Sequence, residues 1–276
     1  MSHGSPARWA LSLALLLALL VRPAAASAAN GVPAIVQEAR AGGLSQSVPW
    51  LRLLHYEPGS IRRWSSGIAG RAFFLSPEGD HDPDAELEAT LTAFLTPVVP
   101  GHEDEHPLCR FPARRAWLDE ELHFQGALHA PSCPALTRYL AALDTESVAV
   151  VFAANFLKNP ASAFGHTFLR LKKHRPPGLT VRSELLDYGI DFVATTDTKN
   201  PFLYAFKGIT GLFPGQVHFL SFDAMAREYG NEDERDQWAY ELAFTPREVR
   251  RLELHLWELS KPAFTYLFLT KNCSYE

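Results

Sequence analysis

Apolar positions along this chain repeat with two different periods, and the change between them divides it. The first half has helical spacing. In "DPDAELEATLTAFL" Leu87, Leu91, Phe94 and Leu95 fall on one stripe, with Asp84 placed to cap it. "ARRAWLDEEL" (113–122) is helix-like, and Ser132 is placed to open a further helix carrying Leu136, Tyr139, Leu140 and Leu143 on one side. The texture then turns to strands. "SVAVVFAA" (147–154) is an apolar, β-branched run of the kind that forms a buried strand. "HTFLRLK" (166–172) alternates, with Thr167, Leu169 and Leu171 on one face and His166, Phe168 and Arg170 on the other. "ELLDYGIDF" (184–192), "QVHFLSF" (216–222) and "QWAYELAF" (237–244) predict three more strands. The glycine-spaced "FKGITGLFPG" (206–215) reads as a loop; it lacks the Lys-Ser/Thr ending and the strand–helix framing of a phosphate cradle. "TPREVRRLELHLWEL" (245–259) opens with a full capping box on Thr245 and Glu248, with Pro246 at the first helical position. Its inward stripe is Val249, Leu252, Leu256 and Leu259, and Pro262 ends or kinks it. Helices, then strands, then a helix predict an α+β fold, an antiparallel sheet packed by helices behind an N-terminal helical region.

The N-terminus changes the picture of where this fold resides. Arg8 precedes the apolar run "ALSLALLLALLV" (10–21), and small residues follow in an A-x-A pattern at Ala26-Ser27-Ala28. This predicts a secretory signal peptide over residues 1–28, short for a bilayer span. Removing it leaves about 250 residues, enough for one large domain or a domain with a smaller annex. The Pro/acid/His stretch "PVVPGHEDEHP" (97–107) is the expected boundary between an N-terminal helical region, 29–107, and a main domain, 108–276. The formal net charge of the whole chain is −5, and losing Arg8 and Arg22 makes it more acidic. Without a basic run, nucleic acid is excluded as a partner.

Export gives cysteine arithmetic its meaning. There are three cysteines. Cys109 and Cys133, 24 positions apart and each beside prolines, are expected to form a disulfide worth about 3–4 kcal/mol by loop-closure entropy. Cys273 is then the odd one. Asn272 is a favoured N-cap, which would place the Cys273 thiol in the first turn of a new helix, where backbone N–H groups favour thiolate. Such a helix needs more chain than remains, so a C-terminally truncated piece is expected. A nucleophilic thiol needs a base. Of eleven histidines, His166 stands out, following Gly165 at the entry to a strand. Asp187 and Asp191 share a face of the next strand, and either could orient the imidazole. Asn159 and Ser162 could shape an oxyanion site or serve turn chemistry. His255, between Leu254 and Leu256, reads as structural, and no compact ligand spacing indicates a metal. A buried, inert Cys273 is the bland alternative.

Several stretches together, "NPASAFGHTFLRL", "ELLDYGIDF", "GNEDERDQWAYEL", "LHLWEL" and the terminal "NCSY", resemble the periplasmic domain of Lnb-type lipoprotein N-acyltransferases. The order of a strand histidine followed by Asn-Cys is also similar to the circularly permuted NlpC-like, papain-like thiol fold, which lecithin–retinol acyltransferase uses. The resemblance implies Cys273 as acyl-accepting nucleophile and His166 as general base. It implies a phospholipid acyl donor, an amine acceptor such as a lipoprotein N-terminus, a membrane surface nearby, a periplasmic location and no cofactor. The permuted enzymes often carry a second histidine on the next strand, where this chain offers Asp187 or Asp191. The rival readings are a cell-wall thiol peptidase or amidase and a non-catalytic envelope module. The aromatic-rich "NPFLYAFKGITGLFPG" (200–215) fits either a membrane- or acyl-contacting flap or a core plug.

Overall fold

A seven-stranded antiparallel sheet carries the fold. The computed structural model describes residues 31–124, 128, 131–154, 166–175, 178, 186–227 and 236–273. The expected signal peptide, and Asn159 and Ser162, lie outside the described residues. The chain begins with helices α1 (Gly31–Ala41) and α2 (Val48–Leu53), followed by a small hairpin of β1 (Tyr56–Pro58) and β2 (Trp64–Ser66). After the short β3 (Ile68–Ala69) come helices α3 (Pro83–Phe94), α4 (Pro107–Arg110), α5 (Pro112–Leu122) and α6 (Pro134–Leu143). Strands β4 (Thr145–Ala153), β5 (His166–Lys173) and β6 (Tyr188–Ala194) lead to α7 (Pro201–Thr210), β7 (Phe213–Ser221) and α8 (Phe222–Ala226). β8 (Gln237–Leu242), α9 (Pro246–Leu259) and β9 (Ala263–Tyr266) complete the described elements. The sheet order is β3-β9-β7-β6-β5-β4-β8, so the fold is α+β with an N-terminal helical region.

Proline is the first residue of α3, α4, α5, α6, α7 and α9 and decides where they start, because its fixed φ suits a first turn and its missing N–H costs nothing there. Pro83 puts the cap of α3 on Asp82, whose side chain accepts from the Asp84 and Ala85 N–H groups. Asp84, expected as the cap, instead accepts from Ser45 Oγ. Pro134 likewise starts α6 after Cys133, one residue later than expected from Ser132. The largest departure is α7, where the sequence reading expected a loop from Phe206. Asn200 caps it by accepting from the Phe202 and Leu203 N–H groups, Pro201 is its first residue, and Gly211 ends it in the left-handed conformation. The helical signals stood at both ends; the glycine at 208 masked what lay between them.

The core has two sides. α9 lays Val249 and Leu256 on Val148, Leu171 and Ile190. The opposite face packs Val151, Ala153 and Phe168 against Phe222 and Met225 of α8. A Cβ at Gly189 would stand 1.8 Å from Met225 Sδ, so α8 sits directly on the β6 backbone. The N-terminal helices share one apolar cluster with the sheet: Trp50, Phe73, Leu91 and Leu118 are continuous with Phe192, Leu259 and Phe264. β3 joins the sheet edge through Ile68 opposite Phe264. A buried charged group also ties these parts together. Arg114, fully buried on α5, donates to Glu86 of α3 at 2.8 Å and lies 3.4 Å from Glu258 of α9. Glu258 accepts in turn from the Ala113 and Arg114 N–H groups. The Cys109–Cys133 disulfide is present, with Cα atoms 5.5 Å apart, and Trp257 Nε1 donates to the Cys109 carbonyl.

Candidate active site

β5 and β6 are paired only over Leu169–Leu171 and Tyr188–Ile190. Beyond Leu169 and Ile190 no further rung joins them among the described residues, and the sheet opens there. His166, the first residue of β5, and Asp191, in the middle of β6, stand at this opening, both buried. Asp191 Oδ2 lies 3.9 Å from His166 Nε2. Cys273 arrives from the opposite end of the chain. After β9, Leu267 and Lys271 exchange backbone hydrogen bonds of 2.8 and 3.0 Å, and Asn272 Nδ2 donates to the Phe268 carbonyl at 3.0 Å. This closed turn delivers Cys273, which is not disulfide-bonded and is partly exposed, to a side-chain hydrogen bond with His166. Asn272 thus closes the turn before the thiol; the helix expected to start at it would run into residues 274–276, outside the described residues.

The electrostatics follow from that contact. Burial pulls the His166 imidazole down, but the Asp191 carboxylate 3.9 Å away and the contact with Cys273 outweigh it and push its pKa up to about 9. At neutral pH the ring is therefore an imidazolium facing a thiol group, the pairing that favours thiolate. Of the two aspartates on this strand segment, Asp187 goes elsewhere. It precedes β6, accepts from Arg170 Nε at 2.8 Å and from the Lys173 N–H at 3.0 Å, and so braces β5. Asp191 is the carboxylate brought to the imidazole. On its other side, His218 of β7 stands directly opposite it in the register, with Nδ1 3.9 Å from Asp191 Oδ1.

Between the sheet and α9 lies a cavity of about 480 Å³ that reaches Cys273. Its walls are largely apolar, from Val150, Leu169, Ile190 and Val217 on the sheet to Leu252 and Leu256 on the helix. Two histidines interrupt them. His255, expected to be merely structural, lines the cavity from α9, and His55 reaches it from the N-terminal region. Burial and the neighbouring His55 hold His255 down to about 3, so it is neutral, and its Nδ1 lacks a hydrogen-bond partner. No three His, Cys, Asp or Glu side chains among the described residues are grouped to hold a metal ion.

Sequence reasoning missed His55 and His218. For His218 a signal existed, since "QVHFLSF" alternates, but which residue faces Asp191 is set by strand register. His55 had none: it occupies a left-handed turn position at φ 53°, 200 residues before the His255 ring that it faces.

No curated protein and no solved structure matches the chain. Residues 42–121, which supply His55 and β3, match a domain of unknown function, DUF7843. Residues 135–276, just over half of the chain and including His166, Asp191 and Cys273, match the Lnb N-terminal periplasmic domain. A periplasmic location agrees with a disulfide between Cys109 and Cys133. The chain belongs to the Lnb N-terminal periplasmic domain family.

Proposed function

We propose that this protein is an exported thiol acyltransferase that moves a fatty acyl group from a phospholipid ester, through a Cys273 thioester, to an amine such as a lipoprotein N-terminus. The observation that carries the reading is the Cys273–His166 contact, backed by Asp191, at the rim of an apolar cavity. The cavity lies within the size range of small-molecule sites, and its lining suits an acyl chain. The histidine-before-cysteine order agrees with a permuted NlpC-like arrangement. No cofactor enters the reaction.

In the first half-reaction the Cys273 thiolate attacks the ester carbonyl carbon. A C–S bond forms, the C–O bond to the lipid alcohol breaks, and the His166 imidazolium gives its proton to the departing alkoxide. His166 is then neutral. In the second half it takes a proton from the incoming amine as nitrogen attacks the thioester carbon, the C–S bond breaks, and the thiolate–imidazolium pair returns. Asp191 holds the ring oriented and stabilises its charge in both halves. An apolar wall limits water, which would otherwise hydrolyse the thioester.

Intact-mass spectrometry of the protein incubated with phospholipid vesicles tests this. A fatty acyl mass is expected on the wild type, lost on treatment with hydroxylamine and never seen in Cys273→Ala. If Cys273 resists small alkylating reagents at neutral pH, the non-catalytic reading replaces this one. If it alkylates but takes no acyl mass, and the protein instead cleaves cell-wall peptides, the thiol peptidase reading does.

A further inference from the structure

Helix α7 presents an apolar stripe outward. Phe202 is 86 % exposed, Phe206 59 % and Ile209 58 %, and Leu212 just beyond the helix is 58 % exposed. Spacings of four, three and three residues put all four on one side. A helix on a protein surface ordinarily shows polar residues there. The stripe is not a core face left uncovered by poor seating, because the other side of the helix is firmly packed. Tyr204 lies against the rings of Phe213 and Phe268, at 5.5 and 5.1 Å. A Cβ at Gly208 would stand 2.2 Å from the Phe268 ring, and Phe268 N–H donates to the Gly208 carbonyl at 2.9 Å. The helix therefore has an aromatic inner side and an apolar outer side.

Two further features say what covers the outer side. From residue 198 to residue 212 the only charged residues are Lys199 and Lys207, and the latter's ammonium is paired with Asp197. The helix itself thus carries no unpaired charge, which suits burial of its apolar face at the headgroup and acyl boundary of a bilayer. The apolar surface is also continuous with the catalytic opening. Phe268, the residue on which α7 sits, is followed by Leu269, 66 % exposed, in the turn that ends at Cys273. A protein seated on this face would crowd the rim of the cavity. A bilayer seated on it would present lipid esters to the thiol.

We propose that the outer face of α7, extended by Leu212 and Leu269, docks the protein on the surface of a lipid bilayer and sets the cavity mouth against it. This rests on the acyltransfer reading for its purpose, but not for its test. The exported protein, its expected signal peptide of residues 1–28 removed, is floated with phosphatidylcholine vesicles, which carry no net charge. Wild type is expected to co-float with little dependence on salt, because the contact is apolar and the protein is itself acidic. The triple variant Phe202→Asp, Phe206→Asp, Ile209→Asp should partition about tenfold or more weaker. Ile61→Asp, at a fully exposed position in the loop between β1 and β2, should float like wild type. Labelling of Cys273 by a water-soluble short-chain ester should be equal in the triple variant and wild type.

Failure of wild type to float, equal flotation of the triple variant, or a wild-type dimer that the triple variant turns to monomer each overturns the docking surface. Flotation with no ester labelling of wild-type Cys273 leaves the surface standing and removes the acyltransfer reading instead.

Discussion

His55 and His255 lie face to face, their ring centres 5.4 Å apart and their Nε2 atoms 3.2 Å apart. One comes from the turn after α2 and the other from α9, so this contact joins the region matching DUF7843 to the wall of the cavity beside Cys273. His255 is held neutral, its pKa down to about 3 against an ordinary 6.5. Between those values the unfolded chain binds a proton that the folded one refuses, so stability is full above pH 6.5 and falls as the pH drops toward 3. The expected loss is on the order of 1 kcal/mol per pH unit in that window. Urea unfolding at pH 7 and pH 5 checks it, and the difference should shrink in His255→Phe.

The Cys273–His166 pair sets the opposite sign. The His166 pKa stands at about 9, above its ordinary 6.5, so the pairing contributes stability that is full below pH 6.5 and lost as pH rises through 9. Acyl transfer should therefore have an alkaline limb near 9. Asp191→Asn removes one of the two groups that raise the imidazole, and should shift that limb to lower pH while cutting kcat/KM on the order of a hundredfold. The His166 ring resonances, followed by NMR, should titrate at lower pH in Asp191→Asn and in Cys273→Ala. An unmoved resonance in both variants would refute the pairing.

Arg114 neutralises two buried carboxylates at once, Glu86 and Glu258. Burial raises Glu258 to about 7 even with Arg114 opposing. Arg114→Met leaves both acids buried with no cation and should cost about 3–5 kcal/mol. A carboxyl raised in the folded state favours folding when protonated, so this deficit should grow as pH rises through 7. Denaturant midpoints of the variant at pH 6 and pH 8 give the comparison; a deficit that shrinks at pH 8 would contradict it.

Opening the Cys109–Cys133 loop with Cys133→Ser should lower stability by about 3–4 kcal/mol. In unreduced wild type, an alkylating reagent should modify Cys273 alone. Modification at Cys109 or Cys133 without reductant would mean that the bridge does not form.

The signals legible in the residues alone are local ones. The capping box of α9 over Thr245 and Glu248 formed as its residues prescribe, and the apolar, β-branched run 147–154 and the alternation in 166–172 became β4 and β5. Those signals sit within a turn or a rung of the atoms that satisfy them. Helix starts slipped where a proline moved the cap by one or two residues, as at Asp82 and Cys133. The thiol, the strand histidine and a pair of aspartates were all visible as residue types. Only the tertiary structure chose between the aspartates, because Asp187 meets Arg170 across a register that no single strand encodes. The same holds for His55 and His218, which reach the cavity wall and Asp191 through long-range packing and strand order. Residues far apart in sequence become neighbours when burying apolar surface and pairing strands leave one arrangement for both, and no local pattern carries that information.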